Sequence, residues 1–273
     1  MAIITISREL AALGDETINE TAKTLNYRVI GKGVLEERIK ACGFALEKLE
    51  KYDERRPSFF ASLSQDRDDY LHYLRTAMLA EAADGNCIFI GRGANIVFRN
   101  TPGMISVYLV SPEDIRLKRV KSYFHCDDKR AKQIINQSDY DRKGFHRYFY
   151  DADWTDSGNY HLTINTGYLH PSFAAELIKS AVKRLGTPET EGLGKIRLQE
   201  MTLAEQLIHH IIYEKSIAVH FLEAAVSGAT ATLYGVANSQ ALAEAAIAAA
   251  KELPQVSQVQ SEIQVVQEYN IMP

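Results

Sequence analysis

Ile3-Ile4-Thr5-Ile6-Ser7-Arg8-Glu9-Leu10-Ala11-Ala12-Leu13-Gly14, continued by Asp15 to Ile30, is the stretch that decides the fold. Ile3 to Ile6 is an apolar, β-branched run of strand length. Ser7 to Gly14 reads as a loop. Beyond it Ile18, Ala22 and Leu25 recur at helical spacing, and Arg28-Val29-Ile30 is a second short strand. Strand, loop, helix and strand in that order open a parallel α/β unit. The loop of such a unit runs into a helix N-terminus, where unbonded N–H groups and the helix dipole favour a phosphate. It is therefore the first place to look for a ligand.

The alternation continues along the chain. Val34 to Cys42 reads as a short helix, and the charged residues 47–69, with their Arg55-Arg56-Pro57 break, as a solvated helix and loop. The functional counterpart of that reading is a flap over a substrate. A helix over Tyr70 to Ala83 leads to the strand Cys87 to Ile90, followed at once by Gly91-Arg92-Gly93-Ala94-Asn95. Ile105 to Val110 is another strand. After it Ser111 is the expected N-cap, Pro112 the first helical residue and Asp114 the acid of a capping arrangement.

The helix that follows carries Arg116, Lys118, Arg119 and Lys121, and a second basic stretch runs from Lys129 through Arg142 and Lys143 to Arg147. An aromatic segment from Phe145 to Trp154, the strand Leu162 to Ile164 and the helix Pro171 to Leu185 complete an α/β domain over residues 1–185, a parallel sheet flanked by helices. Residues 186–200, with Thr-Pro-Glu-Thr-Glu-Gly, read as a linker. Residues 201–273 read as a small α+β domain in the order αββαβ, whose last strand alternates Val259, Ser261, Ile263 and Val265.

Composition narrows the function classes. Of 273 residues 46% are hydrophobic and 24% charged, and the net charge is −4 with a pI near 6.1, so no nucleic-acid partner is expected. Every arginine lies in the first 200 residues, and a multidentate anion site is expected there. Residues 201–273 hold two Lys and seven Glu, which argues against attachment to anionic lipid. Cys42, Cys87 and Cys126 lack metal-ligand spacing and read as reduced thiols. No run approaches the ~20 apolar residues of a membrane span, and the expected location is the cytoplasm.

Taken together, Ile3 to Leu25, Gly91 to Asn95, the basic helix after Ser111, Asp139-Tyr140-Asp141-Arg142 with Phe145 and Tyr148-Phe149, Asp153-Trp154 and Ile164-Asn165-Thr166-Gly167 resemble the cytidylate kinase-like family of P-loop phosphotransferases. The resemblance covers nearly all of residues 2–184. It implies a nucleoside-monophosphate kinase fold with ATP and Mg²⁺ as donor and cofactor. The donor-phosphate loop would be Arg8 to Glu16, the acceptor phosphate would meet Gly91, Arg92 and Gly93, and the lid would span about Lys121 to Arg147. Arg116, Arg119, Arg142 and Arg147 would neutralise charge during transfer, as guanidinium groups do for phosphate oxygens.

The sequence departs from that pattern at the loop. A standard phosphate loop supplies glycines, a lysine and a Ser or Thr. Here Ala11-Ala12-Leu13 replaces the glycine turn, Gly14 stands at the lysine position and Glu16 at the Ser/Thr position. Cβ atoms at 11 to 13 disfavour positive φ and crowd a phosphate. Two accounts remain open. In one Arg8 supplies the missing cation and Asp15 or Glu16 holds Mg²⁺; in the other the two acids only stabilise the helix N-terminus. Related cytidylate kinases have Asp where Gly93 stands, which puts cytosine selectivity in question.

Residues 203–266 resemble a BON domain through Ala229 to Val236, the helix opening at Asn238-Ser239, and Leu253-Pro254-Gln255-Val256. That resemblance implies lipid-surface or small-ligand binding; the acidic charge favours instead an oligomer or protein contact through residues 201–273. The expectation is a cytidylate kinase-like phosphotransferase acting on a CMP- or dCMP-like acceptor. The alternative is a non-catalytic nucleotide or small-anion sensor with a degenerate loop, regulated or assembled through the second domain.

Overall fold

The computed structural model describes residues 2–44 and 66–266. The expectations for residues 47–65 lie outside the described residues. By its internal contacts the chain divides into two units, residues 1–195 and 196–273.

The first unit is built on five parallel strands, β1 (Ile3–Arg8), β2 (Arg28–Ile30), β3 (Cys87–Ile90), β4 (Met104–Val110) and β5 (Leu162–Asn165), in the order β2-β3-β1-β4-β5. Their helices are α1 (Gly14–Leu25), α2 (Lys32–Ala41), α3 (Asp66–Ala82), the short α4 (Ala94–Val97), α5 (Glu113–Phe124), α6 (Asp128–Tyr150) and α7 (Pro171–Leu185). A core of Ile4, Ile6, Ile88, Ile105, Val107 and Leu109 from the sheet packs on Ile18 of α1 and on Ile178 and Val182 of α7. The central strands are buried on both faces, as expected of strands covered on both sides. Cys87 sits in that interior, and burial pushes its thiol up to about 12.

Parallel strands deliver all their C-terminal ends to one edge, which is where open α/β sheets place ligands. Arg8 to Leu13 leaves β1 there, Gly91 to Gly93 leaves β3, Ser111 and Pro112 leave β4, and Thr166 and Gly167 leave β5. Because β3, β1 and β4 are neighbours, the loops after them are neighbours too.

One local expectation is corrected. Ser111 is not the N-cap: α5 begins at Glu113 with Pro112 as its cap and no capping side chain. The Ser111 hydroxyl is taken by Arg119 Nη1 at 3.3 Å, and its N–H donates to Glu9 Oε2 at 2.9 Å. The stretch read as a linker is helical from Pro188, within α8 (Pro188–His209). Proline is tolerated in a first turn, where its missing N–H is not needed.

The second unit contains the end of α8, a π-helical turn (His210–Glu214), β6 (His220–Ser227), β7 (Thr230–Ala237), α9 (Gln240–Ala250) and β8 (Gln258–Val265). β6 and β7 pair antiparallel, and α9 carries the chain across so that β8 pairs parallel to β7. Leu207, Ile211, Leu233, Ala246 and Ala250 form its core, with Val259 and Ile263 packed against it. Ser239 caps α9 by accepting the N–H of Leu242 at 3.3 Å. The expected αββαβ order is present.

Candidate functional site

The loop from Leu10 to Leu13 takes the left-handed conformation at two residues that carry a Cβ, Ala11 (φ 62°) and Leu13 (φ 48°). Left-handed backbone costs an L-residue about 1–2 kcal/mol, so something must hold it. Three side chains do. Arg116 Nε donates to the Leu10 carbonyl at 2.9 Å, Arg119 Nη1 to the Ala11 carbonyl at 2.9 Å and Thr166 Oγ1 to the Ala12 carbonyl at 2.8 Å. Helix α1 then starts with Leu13 as a cap that makes no side-chain bond. Among the described residues no side chain caps the N–H groups of its first turn.

Gly14 shows why the lysine position is empty. A Cβ there would stand 2.5 Å from Cγ of Arg8, closer than atoms can approach, so the Arg8 stem occupies the space that a side chain at 14 would need. Arg8 Nη2 lies 3.8 Å from Asp15 Oδ1, a long pairing with a carboxylate that is 82% exposed. Arg8 therefore brings a cation to the start of α1 from the other end of the loop.

The second loop is also wound left-handed, at Gly91 (φ 61°), Arg92 (φ 55°) and Gly93 (φ 73°). Arg92 is 4% exposed, with Nη1 3.3 Å from the Tyr70 hydroxyl and its guanidinium 5.5 Å from the centre of the Phe145 ring. The Tyr150 hydroxyl donates to the Arg92 carbonyl at 2.8 Å. Burial pushes the Tyr150 phenol well above the usual value, so it stays a donor. A Cβ at Gly93 would fall 2.0 Å from the Tyr150 ring. The glycine is thus required by the Tyr150 ring packed on the loop.

Ser7 and Arg8 at the end of β1, Gly91 and Arg92 after β3, and Arg142, Phe145, His146 and Trp154 line one small cleft. Arg142, from α6, bonds Ser138 and lies with its guanidinium 6.0 Å from the Trp154 ring centre. Three arginines and two aromatic residues along one cleft are side chains that suit a compact anion with an apolar part.

The other expected arginines are placed differently. Arg116 is buried, its Nη2 donating to both carboxylate oxygens of Asp139 at 2.7 and 2.9 Å and its Nη1 3.5 Å from Glu9 Oε1, so its charge is already matched. Arg119 bonds the Ala11 and Thr166 carbonyls, and burial lowers its pKa below that of a free guanidinium. Arg147 is 72% exposed, 3.9 Å from Asp151, and is not among the residues lining the cleft. Sequence reasoning assigned no role to Thr166, Tyr70 or Tyr150. Thr166 and Tyr150 act on backbone carbonyls, a use that leaves no spacing signature.

Mg²⁺ usually binds through one or two carboxylates, with waters and substrate phosphates completing its shell. Asp15 and Glu16, exposed on the first turn of α1, suit that partial role. Among the described residues no group of three or more His, Cys, Asp or Glu could hold a metal alone. Asp15 and Glu16 are the residues that would hold an ion arriving with phosphates.

The strand order and the loops at its C-terminal edge define an α/β protein of P-loop kinase architecture. The model of the cytidylate kinase-like family matches residues 3–168, and the chain belongs to that family. A BON domain matches residues 199–267. A cytidylate kinase from Sulfolobus acidocaldarius is 38% identical over 81 residues, which is 29% of this chain and 44% of that relative. This chain therefore matches less than half of that relative's length. A solved structure of a protein from Eubacterium ventriosum aligns with TM-score 0.52 and 21% identity over 67% of this chain and 99% of that one, which shows the fold. A shikimate kinase from Acinetobacter baumannii, solved with shikimate, aligns at TM-score 0.37 and 16% identity over 67% and 94% of the two chains. Among the described residues no helix is long and apolar enough to cross a membrane.

Proposed function

We propose that the protein is a phosphotransferase that moves the γ-phosphoryl group of Mg²⁺-bound ATP to a nucleoside monophosphate, CMP or dCMP being the first to try. The observation that carries the reading is the meeting of Arg8, Arg92 and Arg142 in one cleft at the C-terminal ends of β1 and β3. Arg92 would hold the acceptor phosphate and Phe145 and Trp154 would flank its organic part. The donor phosphates would lie over the open first turn of α1, with Arg8 in place of a lysine. Positioning and charge neutralisation are most of what phosphoryl transfer asks of a protein. Asp15 or Glu16 would hold the Mg²⁺ that comes with the nucleotide. The reading places the protein in the cytoplasm, with residues 201–273 as a regulatory or assembly module.

A second reading, a nucleotide or small-anion sensor without turnover, is favoured by one observation. Asp15 and Glu16 put two negative charges on the helix turn that would receive the donor polyanion. Calorimetric titration with Mg²⁺–ATP and, separately, CMP decides between the two, repeated on Arg92→Ala. Loss of a buried charge-assisted contact costs roughly 2–5 kcal/mol. The transferase reading expects both ligands to bind, with CMP affinity down at least about 30-fold in the variant. Binding of monophosphate without ATP supports the sensor, and binding of neither refutes both.

A further inference from the structure

We infer that Thr166, together with Arg119 and Arg116, is a positioning brace that holds the loop Leu10 to Leu13 in its anion-receiving shape, doing with side chains what glycines would otherwise do. The inference rests on the donor site proposed above. Its basis is that three successive carbonyls, Leu10, Ala11 and Ala12, each accept a bond from a different side chain outside the loop.

A trans peptide points its N–H opposite to its C=O. Fixing those three carbonyls therefore aims the N–H groups of Ala11, Ala12 and Leu13 away from the brace. The Ala12 N–H is used by the Glu9 carbonyl at 3.2 Å. Among the described residues no carbonyl accepts the N–H of Ala11 or Leu13. Two amides beside the open first turn of α1 are thus presented together, the arrangement that receives phosphate oxygens.

The brace is itself fixed. Thr166 is 2% exposed and its hydroxyl also approaches the Val110 carbonyl at 3.1 Å. Arg119 Nη2 donates to the Thr166 carbonyl at 2.8 Å, which joins two members of the brace. Arg116 is pinned by Asp139 on α6, so the helix that supplies Arg142 to the cleft also steadies the donor loop. Without these bonds Ala11 and Leu13 would leave the left-handed region, and their amides would turn away.

The test is rescue by glycine. In the full chain, affinities for Mg²⁺–ATP and for inorganic tripolyphosphate are measured by calorimetry in the wild type, Thr166→Val, Thr166→Ser, and Thr166→Val combined with Ala11→Gly and Leu13→Gly. One neutral hydrogen bond corresponds to roughly two- to tenfold. Thr166→Val should lose about that much affinity for both ligands, Thr166→Ser should retain the wild-type value, and CMP affinity should not move. In the glycine background, where positive φ carries little penalty, adding Thr166→Val should change affinity less than about twofold. An equal loss in both backgrounds, or no loss in Thr166→Val, overturns the brace while leaving the proposed function standing. Wild-type protein that binds neither ATP nor tripolyphosphate overturns both.

Discussion

Gly93→Ala is the substitution whose cost the geometry defines best. Two penalties combine at that position. The backbone stands at φ 73°, where a Cβ costs about 1–2 kcal/mol. The new methyl would also fall 2.0 Å from the Tyr150 ring, so the ring must move, and overpacking of this kind costs about 1–3 kcal/mol. The expected loss is roughly 2–5 kcal/mol by urea unfolding of the full chain, a large share of the ~5–15 kcal/mol that holds a domain together. Moving Tyr150 also removes the bond from its hydroxyl to the Arg92 carbonyl. Acceptor affinity should therefore fall along with stability. A second background separates the two penalties: in Tyr150→Ala the steric part vanishes and Gly93→Ala should cost only the backbone share, about 1–2 kcal/mol. A Gly93→Ala protein within about 0.5 kcal/mol of wild type, or one with the same loss in both backgrounds, refutes the account of Tyr150 as the residue that fixes this loop.

Two other perturbations reach different parts of the molecule. Glu81, nearly buried on α3, accepts from Arg28 Nη1 at 3.3 Å and from Arg38 Nε at 2.8 Å, which ties β2 and α2 to α3. Glu81→Gln should lower stability by about 1–3 kcal/mol, read by urea unfolding, because both guanidinium groups are half-exposed and recover water; no change would show the tie to be idle. In the second unit, a hydrogen bond from His210 holds the Glu214 carboxyl below its usual pKa, and Lys215 and then His210 do the same for Glu252. A carboxylate with a depressed folded pKa adds stability that is present above its unfolded pKa and is lost as pH falls through the folded one. The melting temperature should thus fall below about pH 4.5, and more shallowly in His210→Ala; an identical acid limb in that variant contradicts the assignment.

Much of the first unit is legible in the sequence because its signals are strong and local. Continuous apolar runs mark β1, β3 and β4, and Pro171 with the apolar spacing after it gives α7 its bounds. The second unit's strands and Ser239 cap are read the same way. What escapes is whatever depends on a partner far along the chain. Ser111 has the right chemistry for a cap, but Arg119 and Glu9 take its polar groups first. Gly192, Gly194 and Pro188 look like linker residues, yet Gly194 lies within a helix where a Cβ would stand 2.4 Å from the Pro102 carbonyl.

The loop is the instructive case at the site. Local propensity says that Ala11 and Leu13 resist positive φ, and they adopt it because three distant donors hold the carbonyls. Arg92 and Arg142 were recognisable by position beside glycines and on a basic helix, and they line the cleft. The same reasoning could not separate them from Arg116 and Arg119, whose charges face Asp139 and backbone carbonyls.

The most direct test of the central claim is a transfer assay with γ-labelled ATP, Mg²⁺ and each common nucleoside monophosphate in turn, run on the wild type, Arg8→Ala and Arg92→Ala. The account predicts label in a nucleoside diphosphate in the wild type, with both variants slowed at least about 100-fold, as when a donor to developing charge is removed from an active site. Absence of labelled product from every monophosphate, in protein that binds ATP and CMP, would contradict it.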